Sequence, residues 1–216
     1  MSRITVIGGH GKVALRLIPR LVAGGHEVTA WVRNRDHEAE VAGLGATVEV
    51  ADAELLDVPA MTALLHGQDA VVWSAGAGGG NPHRTFAVDR DAAIRSMQAA
   101  MHAQARRFVM VSYFGAGPEH GVPEGDSFRA YADAKAAADT HLHGTDLDWT
   151  IVGPSGLTDE PGTGRITVGD PRGSRTVSRD DVAAVIAAVI ADESTIGRTI
   201  EFNTGETPIA EAIHLG

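Results

Sequence analysis

The chain has 216 residues, 44% of them hydrophobic but only 5% aromatic, a length that fills one well-buried core and is short for two. Its formal charge is −10, from 28 acidic against 18 basic residues, which sets it against a nucleic-acid backbone as partner. It has no cysteine, which excludes disulfides, a thiolate nucleophile and cysteine-ligated metal, so redox chemistry would have to come from a bound cofactor.

In chain order, short β-branched runs at 4–7, 27–32, 47–50, 70–73, 108–111 and 149–152 read as strands. Amphipathic stretches at 12–23, 36–42, 58–65, about 86–104, 128–143 and 179–191 read as helices between and after them. A further closing strand is expected around 199–202. Continuous apolar strands joined by helical crossovers imply a parallel sheet covered on both faces. The expected class is therefore α/β: a three-layer, doubly wound Rossmann-type domain spanning 1–216, with a small substrate-side extension. Gly24-Gly25 should end the first helix as a C-cap. Two turn-rich segments, 75–84 and 155–176, follow strand C-termini, the edge where ligands sit in open α/β sheets, and are expected as cofactor rim and substrate lid (about 155–178). The first apolar run is too short for a signal peptide and is broken by Gly8 and Gly9; the late run 182–191 covers about ten residues where a membrane span needs about twenty. A cytoplasmic protein with no membrane partner is the expectation.

Gly8, Gly11 and Ala14 recur at three-residue intervals where the first strand turns into the first helix. Small residues there permit a tight turn, a close backbone approach to a pyrophosphate and a helix start whose free N–H groups hold the anion. An ordinary β–α turn is the plainer alternative. His10, inside the turn, could donate to a phosphate or point to solvent. At the end of the second strand, where a chain selective for NAD offers a carboxylate, this one has Arg33-Asn34-Arg35. Guanidiniums suit a 2′-phosphate, so NADP(H) is favoured over NAD(H); the alternative is a solvated arginine pair with Asp36 on the ribose.

These residues carry a resemblance over nearly the whole chain. Gly8-Gly9-His10-Gly11-Lys12-Val13-Ala14, Gly25-His26-Glu27-Val28 leading to Val32-Arg33, Ala51-Asp52, Gln68-Asp69-Ala70-Val71-Val72 into Ser74-Ala75-Gly76, Arg107 to Ser112, Tyr131 with Lys135, and Leu147 to Pro154 resemble the atypical short-chain dehydrogenase/reductase group of small NAD(P)H-binding proteins, which includes nucleoside-diphosphate-sugar-epimerase-like and biliverdin/flavin-reductase-like members. The resemblance implies that Asp52 and Ala53 meet the adenine, that Ser74, Ala75 and Gly76 line the nicotinamide ribose and pyrophosphate, and that Pro154 and Ser155 border the nicotinamide. Read without it, Asp52 could cap the next helix and Ser74 to Gly76 could be a plain strand end.

Tyr131 and Lys135 stand four apart on one helix face, the spacing of that group's catalytic pair. An ammonium beside a phenol would lower its pKa and ready it for proton exchange during hydride transfer; the alternative is an amphipathic face with both tips wet. Ser112, at the end of the fifth strand, is the candidate third member. The wider superfamily often carries that serine one or two positions later, where this chain has Tyr113 and Phe114, and Gly153 stands where relatives carry an arginine. The ten histidines show no metal-ligand spacing. The expected activity is a small NADPH-dependent oxidoreductase acting on a carbonyl, quinone or flavin-type substrate. A non-catalytic NAD(P)H sensor is the alternative, and a sugar-nucleotide epimerase would need a larger C-terminal part.

Overall fold

The computed structural model describes residues 1–78, 81–170 and 172–215. Gly79, Gly80 and Pro171, which belong to the two turn-rich segments, lie outside the described residues, as does Gly216.

Six strands form the parallel heart of the sheet: β1 (Arg3–Ile7), β2 (Glu27–Val32), β3 (Thr47–Val50), β4 (Ala70–Trp73), β5 (Arg107–Val111) and β6 (Asp148–Pro154). β1 pairs with β2 on one side and β4 on the other, so the order reverses beside β1. Crevices beyond the strand C-termini at such a reversal are where open α/β sheets take ligands. The expected lid segment is more ordered than its composition suggests. It holds β7 (Gly156–Thr158), β8 (Arg165–Val168) and β9 (Thr176–Ser178), with β10 (Arg198–Thr204) and β11 (Thr207–Pro208) after it. β8 runs antiparallel to β10 and β11, so the nine-stranded sheet, ordered β11-β8-β10-β6-β5-β4-β1-β2-β3, is mixed at one edge; β7 and β9 form a separate pair.

Alternation along the strands divides the core. Ile4, Val6, Val72 and Val109 face one way, onto Leu17 and Ile18 of α1 (Ala14–Ala23) and Val182 and Ile186 of α7 (Arg179–Ala191). Val71, Trp73, Phe108 and Met110 face the other way, onto Met61 and Leu65 of α3 (Val58–Leu65) and Met97 of α5 (Ala93–Ala103). Leu142 of α6 (Arg129–His143) completes that layer. Gly25, at φ +80°, takes the left-handed position that ends α1, with its N–H on the Val22 carbonyl at 3.0 Å.

Two helices differ from their expected form. The stretch expected at 36–42 splits into a 3-10 turn, Arg35–His37, and α2 (Glu38–Ala42), because the Asn34 side chain accepts from the Asp36 N–H and tightens the entry. The long helix begins earlier, at α4 (Pro82–Thr85) capped by Asn81, and passes through a π-helical stretch, Phe86–Ala92, before α5. α8 (Ile209–Ala212) is the last helix among the described residues. Among the described residues no helix is long and apolar enough to cross a membrane.

Candidate functional site

The turn after β1 is built on backbone proximity. Gly8 sits at φ +89°, and a Cβ there would lie 2.7 Å from the Ala75 Cα and N, so only glycine lets β1 and the end of β4 approach this closely. The Gly9 N–H donates to the Trp31 carbonyl at 2.8 Å and the Gly11 N–H to the Gly8 carbonyl at 2.8 Å. The N–H groups of Lys12, Val13 and Ala14 have no acceptor among the described residues, and they open α1, where the positive end of the helix dipole adds to them. A close backbone cradle with orphan donors fits a pyrophosphate.

Three adjoining cavities lie along the C-terminal edge of the strands. The first, about 320 Å³, is lined by Gly8, His10, Gly11, Arg33, Asn34, Asp52, Ala53 and Ser74 to Gly76 among others. Arg33 is exposed there and has no carboxylate partner among the described residues, whereas Arg35 pairs with Glu38 at 3.7 Å. Asp36, the alternative ribose ligand, does not line this cavity; it accepts from the Asn34 amide at 3.2 Å. His10 lies 2.8 Å from a Glu40 carboxylate oxygen and stacks on His37 with ring centroids 3.5 Å apart, so it is neither free in solvent nor unpartnered. Asp52 accepts from the Glu54 N–H, and the cap of α3 is Asp57, which corrects the alternative that Asp52 caps that helix.

The second cavity, about 670 Å³, shares Gly11, Ser74, Ala75 and Gly76 with the first and adds Lys12, Val13, Asp89, Ser112, Tyr131 and Arg179. Lys12 reaches Asp159 at 2.9 Å, and Arg16 and Arg179 meet the same carboxylate at 3.3 and 3.1 Å, tying the segment after β7 to α1 and α7. These cations hold the Asp159 carboxyl below the usual range, the Lys12 hydrogen bond foremost. Beyond lies the third cavity, about 530 Å³, lined by Tyr113, Phe114, Phe128, Tyr131, Pro154, Ser155, Leu157 and Arg175. The Tyr113, Phe128 and Tyr131 rings pack with centroids 5.2–5.7 Å apart. The Ser155 hydroxyl is buried there without a partner among the described residues.

Beneath the second cavity the chemistry departs from expectation. Lys135 is fully buried; its ammonium donates to the Val111 carbonyl at 2.6 Å and lies 3.3 Å from the Met110 sulfur. Tyr131 does not have its pKa lowered by Lys135. Burial, and after it the charges of Asp89 and Asp139, push the phenol up, because both disfavour phenolate. Tyr113 is likewise pushed up to about 12, first by burial and then by Asp139. Ser112 points its hydroxyl at Asp139, Oγ to Oδ2 2.5 Å. Asp89, on the π-helical stretch, accepts from the Ala77 N–H at 3.0 Å and so holds the loop after β4.

The sequence reading thus named residues that the fold brings to one edge, but it missed Asp89, Asp139, Asp159 and His37. For Asp139 a signal existed: it continues the Tyr131, Lys135 spacing by another four residues on the same helix face. Asp89 and Asp159 act across contacts far apart in sequence and leave no local mark. No group of three or more His, Cys, Asp or Glu among the described residues is placed to hold a metal.

Residues 8–193 match the model of an NAD(P)H-binding family. The chain belongs to that family. Its relatives include YhfK of Bacillus subtilis, an uncharacterized sugar epimerase by name, 33% identical with 98% of each chain covered. Among solved structures, a Bacillus halodurans protein that carries the provisional name of an NAD-dependent epimerase/dehydratase is 36% identical, with 99% of each chain covered and a TM-score of 0.91. The oxidoreductase ylbE of Lactococcus lactis is 30% identical, with 98% of this chain and 95% of that one covered and a TM-score of 0.85. In this NAD(P)H-binding chain the glycine cradle and the family assignment agree on a dinucleotide as ligand.

Proposed function

We propose that the protein is an NADPH-dependent reductase of a planar, conjugated carbonyl, quinone or flavin-type substrate. In this reading residues 1–216 act as one domain, with 155–178 as the substrate-side lid. The observation that carries it is the continuity of the three cavities. The first two share the wall Gly11 and Ser74 to Gly76, and the last two share Ser112, Phe128, Tyr131 and Leu157, so a single extended ligand path runs from Arg33 to an aromatic chamber.

Along that path Asp52 and Ala53 would hold the adenine end, and Arg33 and Asn34 its 2′-phosphate. The N–H groups that follow Gly11 would hold the pyrophosphate, and Ser112 and Tyr131 would face the nicotinamide end, with Pro154 and Ser155 at its border. When bound, NADPH supplies the hydride. The chain's own residues exclude water through the Tyr113, Phe128 and Tyr131 rings, orient a flat substrate between them, and offer Arg175 at the rim to an anionic substituent.

Two relatives carry epimerase names. A sugar nucleotide, however, presents many hydroxyls and a diphosphate, and the third cavity offers mostly rings, Pro154 and Leu157, with Arg175 as the cation in its lining. The test is a side-by-side titration of NADPH and NADH, followed by NADPH oxidation with phenanthrenequinone, nitrobenzaldehyde and riboflavin. Tighter NADPH binding with turnover of at least one acceptor supports the reading; binding without turnover, or turnover only of a sugar nucleotide, overturns it.

A further inference from the structure

Under the second cavity three charged side chains are shut away from water together: Lys135 is 1% exposed, Asp89 2% and Asp139 5%. Two carboxylates and one ammonium would leave a net negative charge in a place that solvates charge poorly, so the cluster favours holding one extra proton. Burial raises both carboxyls, which favours the extra proton on one of them, while on the ammonium it works the other way, against the raising pull of Asp139 and Asp89.

The two carboxylates are not equivalent. Asp89 is engaged with the Ala77 N–H. Asp139 has one oxygen on the Ser112 hydroxyl at 2.5 Å, while its other oxygen, Oδ1, is buried with no partner among the described residues. Asp139 also lines a separate cavity of about 280 Å³ with Tyr113, Thr140, His143, Thr199 and Glu201, and Thr140 and His143 are exposed, so this cavity reaches the surface on the far side of α6. Ser112 lines the two cavities on the near side. Asp139 therefore spans the wall between a pocket with exposed lining residues and the chamber of the proposed substrate site.

We propose that Asp139 is a proton-relay residue, taking a proton at Oδ1 from the outer cavity and passing one from Oδ2 to Ser112, whose hydroxyl protonates the substrate oxygen. This rests on the reductase reading. In the step, hydride adds to the carbonyl carbon and the C=O π pair moves to oxygen, which takes the Ser112 proton. Ser112 takes the proton on Asp139 Oδ2; a solvent proton arriving through the outer cavity then adds at Oδ1, and rotation of the carboxyl brings it to the Ser112 side for the next turnover. One hydride and one proton are consumed; the carbonyl is reduced and the dinucleotide oxidised. Tyr131 is the poorer donor because its phenol is pushed up by burial and by the same carboxylates, and Lys135 is spent on the Val111 carbonyl. The groups facing Asp139 are Lys135 and His143 on α6, Ser112 and Tyr113 after β5, and Glu201 on β10, while Asp89 on the π-helical stretch shares Lys135 and Tyr131 with it.

The test uses D139N, S112A and the double variant, with NADPH and phenanthrenequinone. Expected is a kcat loss on the order of a hundredfold for each single variant, the usual scale of general acid catalysis, with KM and NADPH affinity kept. The double variant should be no slower than S112A, since both act on one path. In the protein without nucleotide, infrared spectra should show a buried carboxylic-acid carbonyl stretch that D139N removes, D89N keeps and S112A shifts. If D139N does not fold, S112A and the infrared band still decide. Wild-type turnover that D139N or S112A leaves unchanged, or a band indifferent to both, overturns the relay alone. A wild-type protein that binds NADPH yet reduces no acceptor overturns the reductase reading and the relay with it.

Discussion

Arg33→Ala isolates the nucleotide preference. Arg33 is exposed and lines the first cavity without a carboxylate partner among the described residues, so its removal strands no buried charge and should cost the fold little. What is lost is a guanidinium on the 2′-phosphate. Hydrogen bonds to charged groups are worth about 1.5–3 kcal/mol, and about 1.4 kcal/mol is tenfold in affinity, so the gross effect is roughly 10- to 150-fold. Exposure places it at the low end, because salt at about 0.1 M screens charges beyond roughly 10 Å and water competes for the guanidinium. NADPH should therefore bind about 10- to 30-fold more weakly, NADH within about twofold of wild type, and the wild-type preference should shrink as salt rises. Calorimetric titration of both nucleotides at two salt concentrations measures this. Equal losses for both nucleotides would mean that Arg33 supports the loop rather than reads the phosphate, and no loss for either would remove the 2′-phosphate argument.

Gly8→Ala forces a side chain into φ +89° and against the Ala75 backbone at 2.7 Å; left-handed strain of about 1–2 kcal/mol and overpacking of about 1–3 should together cost roughly 2–5 kcal/mol in urea melts, and NADPH binding should go with it. Unchanged melts would mean that the β1–β4 approach is looser than described. Asp159→Ala releases Lys12, Arg16 and Arg179 beside the glycine turn; NADPH should bind more tightly with a steeper salt dependence, and an unaltered affinity would show that these cations do not sense the phosphates. Stability should depend on pH through Asp89 and Asp139. Their folded-state carboxyls are raised above 3.8, so the native protein keeps protons that the unfolded chain has released, and this contribution to stability is lost as pH rises from about 3.8 through the raised values. D89N and D139N should each gain melting temperature relative to wild type on going from acid to neutral pH; parallel curves would contradict the burial argument.

Much of the fold was legible because its signals are local. β2, β3, β4, α3 and α7 begin and end where apolar periodicity and capping residues put them, as with Ser178 accepting from the Asp181 N–H at the start of α7. The strands of 155–178 were not legible, since three- and four-residue strands fall below any periodicity window and exist only by pairing with each other or with β10. The site divides in the same way. Gly8, Arg33 and Ser112 are marked by their places after strands. The state of Tyr131 depends on how deeply α6 packs and on Asp89 arriving from another element, and helical spacing alone predicted the wrong sign for its phenol.

The π-helical stretch Phe86–Ala92 has a consequence for how this scaffold tolerates length changes. A widened turn of this kind is a helix carrying a surplus residue that its surroundings hold in place. Deleting one residue there would let the stretch close to an ordinary helix while the turns on either side keep their register, since the widened turn is what absorbs the surplus residue. Asp89 lies inside the stretch, so its own facing would change, and the loop after β4 would lose its anchor at Ala77 while the core around α5 stayed intact. One codon in this stretch thus separates a folded protein with a shaped ligand rim from a folded protein without one.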